Sequence, residues 1–247
     1  ELIRNHRYEE SLKLIRKTNP LPEICGRACI APCEVNCRRA NLDSPVAIRA
    51  LKRFVTDYEA ASGAEPVFEK MEDSGQKVAV IGAGPAGLAA SYNLVLKGYK
   101  VTIYEELSSA GGMAVVGIPP YRLPRDVISR EVKLIQKLGV EFKLNAKIGK
   151  DITLNSLFDE GFKTIFIATG AHMGRELGIE AEDKGLVDGV RFLHNVNMGK
   201  NVEPRDKVII IGGGNVAIDC ARTCLRLGFK DVTMVYRRSR AEMPGRS

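Results

Sequence analysis

Val78-Ala-Val-Ile-Gly82-Ala-Gly84-Pro-Ala-Gly87 decides how this chain folds: four apolar residues, then glycines at the first, third and sixth places of a turn. Val78–Ile81 reads as a buried strand, Ala86–Leu96 as a helix and Val101–Tyr104 as a second strand. Glycines spaced GxGxxG carry meaning only where they close a strand and open a helix, as they do here. Gly82 permits the tight turn, and Gly84 lets the backbone come close to a pyrophosphate. Gly87 lets the helix lie against the sheet, and the helix start at Pro85 and Ala86 attracts the anion. Glu105, at the tip of the second strand, can accept hydrogen bonds from an adenosine ribose. The plainer alternative is a glycine-rich turn without a ligand.

The same unit recurs. Ile-Ile-Gly-Gly-Gly-Asn-Val-Ala (210–217) matches Val-Ile-Gly-Ala-Gly-Pro-Ala-Gly (80–87), and each first glycine is followed 16 residues later by another, Gly98 and Gly228. The second loop uses Gly212, Gly214, Asn215, Val216 and Ala217 between strands at Lys207–Ile211 and Val232–Tyr236. Its ending differs. Tyr236 takes the place of Glu105, and Arg237 and Arg238 follow. Loss of the acid removes repulsion toward a 2′-phosphate, and two guanidinium groups can pair with one, so the second loop reads as a site for NADP(H) rather than NAD(H). The alternative is a solvated basic turn.

Between and around these units, helix alternates with strand: a helix over Arg125–Leu138 and strands over Val140–Leu144 and Thr164–Ala168. The alternation predicts an α/β fold with a doubly wound parallel sheet. Upstream, an amphipathic stretch at Tyr8–Lys17, a proline- and cysteine-rich loop at Asn19–Arg39 and a helix from Val46 to about Ala60, entered at Ser44-Pro45, precede a linker with Gly63, Pro66 and Gly75. The expected division is a helical domain over 1–75, a first dinucleotide-binding domain over 76–204 and the start of a second over 205–247.

In the helical part, Cys25, Cys29, Cys33 and Cys37 stand at regular intervals. Four thiolates in a short loop-rich stretch suit an iron–sulfur cluster or a structural zinc site, and the three-residue gaps mildly favour iron. Cys220 and Cys224, one turn apart on the helix after Gly214, read as buried packing. Two nucleotide-binding patterns and no signal-peptide pattern argue against an extracellular disulfide framework and for the reducing cytoplasm. No apolar run approaches the roughly 18 residues of a membrane span. The net charge is +7, and the excess lies wholly in residues 76–247, with 25 basic against 18 acidic side chains. Its densest cluster, Arg237, Arg238 and Arg240, has no interleaved aromatics, so a phosphate-bearing cofactor accounts for it better than nucleic acid. The opening Glu1-Leu-Ile-Arg and the closing Gly245-Arg-Ser read as cut ends of a longer protein.

Taken together, several landmarks closely resemble the small (β) subunit of bacterial glutamate synthase. Its relatives include the N-terminal half of dihydropyrimidine dehydrogenase and subunits of electron-bifurcating transhydrogenases. The landmarks are Asn19-Pro-Leu-Pro, the run from Cys25 to Cys37, both glycine loops, Gly111-Gly-Met113, Gly117-Ile-Pro-Pro-Tyr-Arg-Leu-Pro124, Ala168-Thr-Gly170 and Tyr236-Arg-Arg-Ser-Arg-Ala-Glu-Met-Pro244. The resemblance implies an N-terminal helical iron–sulfur domain and two Rossmann-like folds, the first for FAD and the second for NADPH. By the same resemblance, Gly112, Met113 and Arg122 lie along the flavin, and Ala168, Thr169 and Gly170 lie where the two nucleotide folds meet. In the family a second cysteine group lies upstream, and the FAD domain resumes after the NADPH domain. The expected iron–sulfur (4Fe-4S) ligation and both nucleotide pockets therefore draw on further residues.

The implied function is that of an electron-transfer flavoprotein subunit. Hydride passes from NAD(P)H to FAD, and electrons go on through the clusters to a larger catalytic or electron-accepting partner, ferredoxin-like among the candidates. The alternative is a non-catalytic assembly or relay subunit. Pyrimidine reduction would need a barrel domain that these residues do not encode.

Overall fold

The computed structural model describes residues 1–174 and 185–245. By contact the chain forms two compact units, Glu1–Gly112 with Arg122–Thr169, and Met113–Tyr121 with Gly170–Ser247.

The first unit begins with α1 (Tyr8–Arg16), α2 (Pro22–Ala28), α3 (Pro32–Val35), a 3-10 turn at Arg38–Asn41 and α4 (Ile48–Ser62). The Asn19–Arg39 stretch, expected as a loop, thus holds two short helices. Each starts with proline at its first position, where the missing N–H costs nothing. The expected helix entry at Ser44-Pro45 is also displaced: α4 is capped at Ala47, which offers no side-chain cap. The acceptor comes from α3 instead, where Glu34 takes the Arg49 N–H at 2.8 Å.

A strap follows rather than a free linker. Met71 N–H donates to the Leu96 carbonyl at 2.8 Å, and Ser74 N–H to that of Gly98 at 2.9 Å. Phe68 stacks edge-on against Tyr92. A Cβ on Gly98 would overlap the Glu72 carbonyl oxygen, so this glycine is required by the strap. Its counterpart Gly228 merely ends a helix in the left-handed region, with open space around it.

Then come β1 (Lys77–Ile81), α5 (Pro85–Leu96) and β2 (Lys100–Tyr104). The chain passes through α6 (Met113–Val116), which belongs to the second unit, and returns with α7 (Arg125–Lys137), β3 (Glu141–Lys143), α8 (Leu154–Asp159) and β4 (Phe162–Ile167). All pairings in the sheet β3-β2-β1-β4 are parallel, with Val78 opposite Val101 and Thr164. Four consecutive residues of β1 and of β2 are buried, as expected of strands covered on both faces. Strand order reverses direction at β1, because β2 and β3 extend to one side and β4 to the other. The carboxyl ends of β1 and β4 therefore bound the crevice in which open α/β sheets bind ligands.

In the second unit α9 (Gly189–Asn197) precedes β5 (Lys207–Ile211), α10 (Asn215–Leu227), β6 (Asp231–Val235) and a 3-10 turn at Arg240–Glu242. β5 and β6 pair in parallel, with Ile209 opposite Thr233. Alternate residues of both strands are exposed, so one face of this sheet is open.

Candidate functional site

In the first unit, the turn after β1 has the tight bend expected at Gly82 and the close helix–sheet packing expected at Gly87. Gly82 adopts φ +103, and a Cβ there would overlap the Ala168 carbonyl oxygen. On Gly87 a Cβ would overlap the Gly82 carbonyl oxygen, so α5 reaches the sheet only through glycine. Gly84 caps α5 with extended backbone, followed by Pro85 at its first position and Ala86. The doublet at 111–112 closes in from outside: Gly111 N–H donates to the Ala83 carbonyl at 2.8 Å. A Cβ on Gly112, where φ is +50, would come 2.7 Å from the Gly84 Cα. Two stretches of bare backbone therefore meet at Gly84 and Gly112, leaving no side chain to keep a ligand away.

Glu105 has a larger part than the sequence indicated. Buried to 7% exposure, it accepts the Ala83 N–H on Oε2 at 2.7 Å and the Leu107 N–H on Oε1 at 2.9 Å. Its own backbone is fixed by the Lys143 carbonyl and the Ala146 N–H. The carboxylate thus clamps the glycine turn, and the second acceptor site on each oxygen stays available to hydroxyl donors. Ala168 follows β4, its N–H bonded to the Ile81 carbonyl at 2.8 Å, which places Ala168 and Thr169 beside Gly82. Arg122 belongs to this unit as well.

In the second unit the turn after β5 repeats the plan with looser tolerances. Gly212 N–H donates to the Val235 carbonyl at 2.9 Å, just as Gly82 N–H donates to that of Tyr104 at 2.8 Å. Tyr236 is therefore the structural counterpart of Glu105. Ala217 carries a Cβ where Gly87 cannot. Gly214, the cap of α10 before Asn215 and Val216, has no atom of the described residues within 4 Å of a Cβ placed on it, while Gly245 packs close to its carbonyl carbon.

The middle glycine, Gly213, has no role in the GxGxxA spacing, and the run of three glycines is the signal that marks it. A Cβ there would come 2.7 Å from the Tyr236 ring. The following segment folds back over the turn: Gly245 N–H donates to the Gly213 carbonyl at 2.9 Å, and Tyr236 Oη donates to the Glu242 carbonyl at 3.3 Å. Arg237 and Arg238 stand exposed between these contacts.

The expected flavin-side motifs are divided. Gly112 lies in the first unit, whereas Met113 begins α6 in the second, and Gly170 begins the second unit's long segment. The segment Met113–Tyr121 is held there by three contacts the sequence did not suggest. Asn197 Nδ2 donates to the Val116 carbonyl at 2.8 Å, and Tyr121, whose hydroxyl donates to the Asp219 carbonyl at 3.3 Å, lies under the Arg226 guanidinium at 3.9 Å.

Cys25 lies in α2, Cys29 caps its end, Cys33 lies in the four-residue α3 and Cys37 precedes the 3-10 turn. All four are free thiols. Ala31 N–H reaches Cys29 Sγ at 3.3 Å, and backbone N–H groups around Cys37 hold that thiol below its ordinary value. Burial pushes Cys25 up. Unpaired sulfurs that receive backbone N–H groups have the donor chemistry of thiolate ligands. Among the described residues no group of three or more cysteine, histidine, aspartate or glutamate side chains is placed to hold a metal ion. Cys220 and Cys224 are buried in α10; burial pushes Cys220 up to about 12, which suits inert packing.

Comparison with known proteins adds two matched families. Residues 76–245 match the family described as pyridine nucleotide-disulphide oxidoreductase. Residues 1–64 match the one described as dihydropyrimidine dehydrogenase domain II, 4Fe-4S cluster. The chain is 47% identical to the NADP(+)-dependent formate dehydrogenase subunit beta of Moorella thermoacetica, over 99% of this chain and 38% of that protein. It is 34% identical to the glutamate synthase (NADPH) small chain of Escherichia coli strain K12, over 99% of this chain and 55% of that one. It therefore spans less than two thirds of the length of either relative. Among solved structures, FprA from Mycobacterium tuberculosis in complex with NADPH superposes with a TM-score of 0.58 at 22% identity, covering 68% of this chain and 45% of that one. At that identity the likeness is one of fold. No helix among the described residues is long and apolar enough to cross a membrane.

Proposed function

The chain belongs to the pyridine nucleotide-disulphide oxidoreductase family, and we propose that it is the electron-transfer portion of an NADPH-dependent flavoprotein subunit. In this reading residues 76–204 hold FAD, residues 205–247 open the NADP(H) fold and residues 1–75 carry iron–sulfur ligands. Both nucleotide-binding units are Rossmann-like. The observation that carries the reading is the pair of turns with matching backbone bonds and opposite endings: a buried carboxylate, Glu105, in the first, and exposed Arg237 and Arg238 after Tyr236 in the second.

The residues fit these groups. The bare backbone at Gly84 and Gly112 makes room for the FAD pyrophosphate, and the start of α5 supplies its N–H groups. Glu105, already held by two N–H groups, orients its remaining acceptor sites toward the adenosine ribose and would repel a 2′-phosphate. Gly214 and the N–H groups of Asn215, Val216 and Ala217 take the second pyrophosphate, while Arg237 and Arg238 pair with the 2′-phosphate. Bound FAD supplies the conversion of a two-electron donor into a one-electron one. Cys25, Cys29, Cys33 and Cys37 contribute part of the ligand set for 4Fe-4S clusters, completed by ligands from outside these residues. The electrons leave to a larger catalytic or electron-accepting subunit, or to a ferredoxin-like protein, in the cytoplasm.

The test is anaerobic mixing of the full-length protein with NADPH or NADH. Bleaching of the flavin by NADPH, followed by a change in cluster absorption, is the expected result. Flavin that neither nucleotide reduces would leave only an assembly role.

A further inference from the structure

The helix that carries Cys25 lacks a local cap. Leu21 precedes α2 with no polar side chain to offer, and the acceptor for the Glu23 N–H comes from 108 residues away, Glu131 Oε1 on α7, at 2.6 Å. Glu131 is 4% exposed and lies against the Ile24 N–H as well, and its other oxygen, Oε2, is buried with no hydrogen-bond partner among the described residues. Arg130, beside Glu131, reinforces the junction with a forked pair to the Glu23 carboxylate, while Arg27 ties α2 separately to Asp57 of α4. A buried carboxyl with an unused oxygen is costly to keep. Glu131 sits where the cysteine-bearing helix meets α7 of the FAD fold.

We infer that Glu131 is a positioning residue for internal electron transfer, locking α2 onto α7 and so fixing the separation between the iron–sulfur ligands Cys25 and Cys29 and the flavin turn at Gly82–Gly87. The inference rests on the electron-transfer reading above and adds no chemical step to it. Both ends of the tie lie in the same compact unit, and single-electron transfer falls steeply with distance, so a small loosening of α2 slows the second half of the reaction and spares the first.

The test uses the full-length protein with its flavin and clusters. In Glu131→Leu, the Glu23–Gly26 amides are expected to exchange hydrogen about tenfold faster or more, because a buried N–H loses its acceptor. Glu131→Gln keeps an oxygen there and is expected to restore protection. In anaerobic stopped flow with NADPH, the leucine variant is expected to bleach flavin within about twofold of the unmodified rate and to slow the cluster phase about tenfold or more, with iron content unchanged. The glutamine variant restores that phase. Should the leucine variant fail to fold, Arg130→Met, which removes the more exposed half of the tie, must show the same selective loss. Unchanged exchange and cluster phase overturn the inference, and so does equal slowing of both phases, which marks general loss of structure. Unmodified protein whose flavin NADPH does not bleach would sink the electron-transfer reading instead, and the exchange result would still decide the tie.

Discussion

At the tip of β2 the Glu105 carboxylate holds two backbone N–H groups, so its removal is felt before any ligand arrives. Each orphaned N–H costs about 1–3 kcal/mol. Glu105→Ala is therefore expected to lower the melting temperature of flavin-free protein as well as its flavin retention, while leaving NADPH affinity nearly unchanged in whatever protein keeps its flavin. Calorimetry and flavin content check this; unaltered flavin retention would remove Glu105 from the FAD site. Arg237 and Arg238, exposed beyond Tyr236, should show the converse. Replacing both with alanine should weaken NADPH by roughly 1.5–3 kcal/mol per lost charge-assisted contact and leave NADH little changed. Equal losses for both nucleotides would contradict a 2′-phosphate site. Glu131 gives a pH signature. Burial raises its carboxyl from 4.5 to about 8, so the folded protein holds a proton that the unfolded chain releases. Its contribution is complete below about pH 4.5 and is lost as pH rises through about 8. Glu131→Gln should flatten the fall in melting temperature across that window, and an unchanged slope would show that other groups set it.

The two strand–turn–helix elements follow one pattern with different tolerances. Gly87 has no room for a methyl group, because its Cβ would overlap the Gly82 carbonyl, whereas Ala217 already carries one. Gly87→Ala should therefore push α5 off the sheet and abolish flavin binding. Ala217→Gly should cost only the helix propensity difference, about 1 kcal/mol. Flavin content and melting curves of the two variants measure this, and equal effects would mean that the turns are not distinguished by packing. The helical segment shows another element-scale rule. α2 and α4 begin at Pro22 and Ile48 without local side-chain caps, and each takes a carboxyl oxygen from elsewhere, from Glu131 and Glu34. Such helices depend on tertiary contact for their first turn.

Across the whole molecule, the cysteine-bearing helices share a compact unit with the first glycine turn, and the segment Met113–Tyr121 packs with α9 and α10 of the other unit. Among the described residues no group of three or more cysteine, histidine, aspartate or glutamate side chains is placed to hold a metal ion. The proposed incomplete ligand set in residues 1–75 predicts that iron binding needs residues outside these. Full-length protein prepared anaerobically should contain iron and acid-labile sulfide, and residues 1–247 alone should bind markedly less. Stoichiometric zinc in a colourless full-length protein would refute iron–sulfur ligation.

The sequence by itself determined the alternation of strand and helix, the parallel sheet and the positions of both glycine turns. These are local properties: runs of apolar residues closed by glycines, of which Gly82 at φ +103 and Gly212 at φ +134 take a conformation that favours glycine. It also marked the differing endings at Glu105 and Tyr236, because strand tips are countable from the turn. Tertiary structure alone decided the rest. The strap over Gly98, the caps from Glu34 and Glu131, the Tyr236 ring on Gly213 and the burial of Glu105 against its own turn all join residues far apart in the chain. A carboxylate on a helix face reads as a solvated charge in sequence, and only packing shows which backbone N–H it is there to receive.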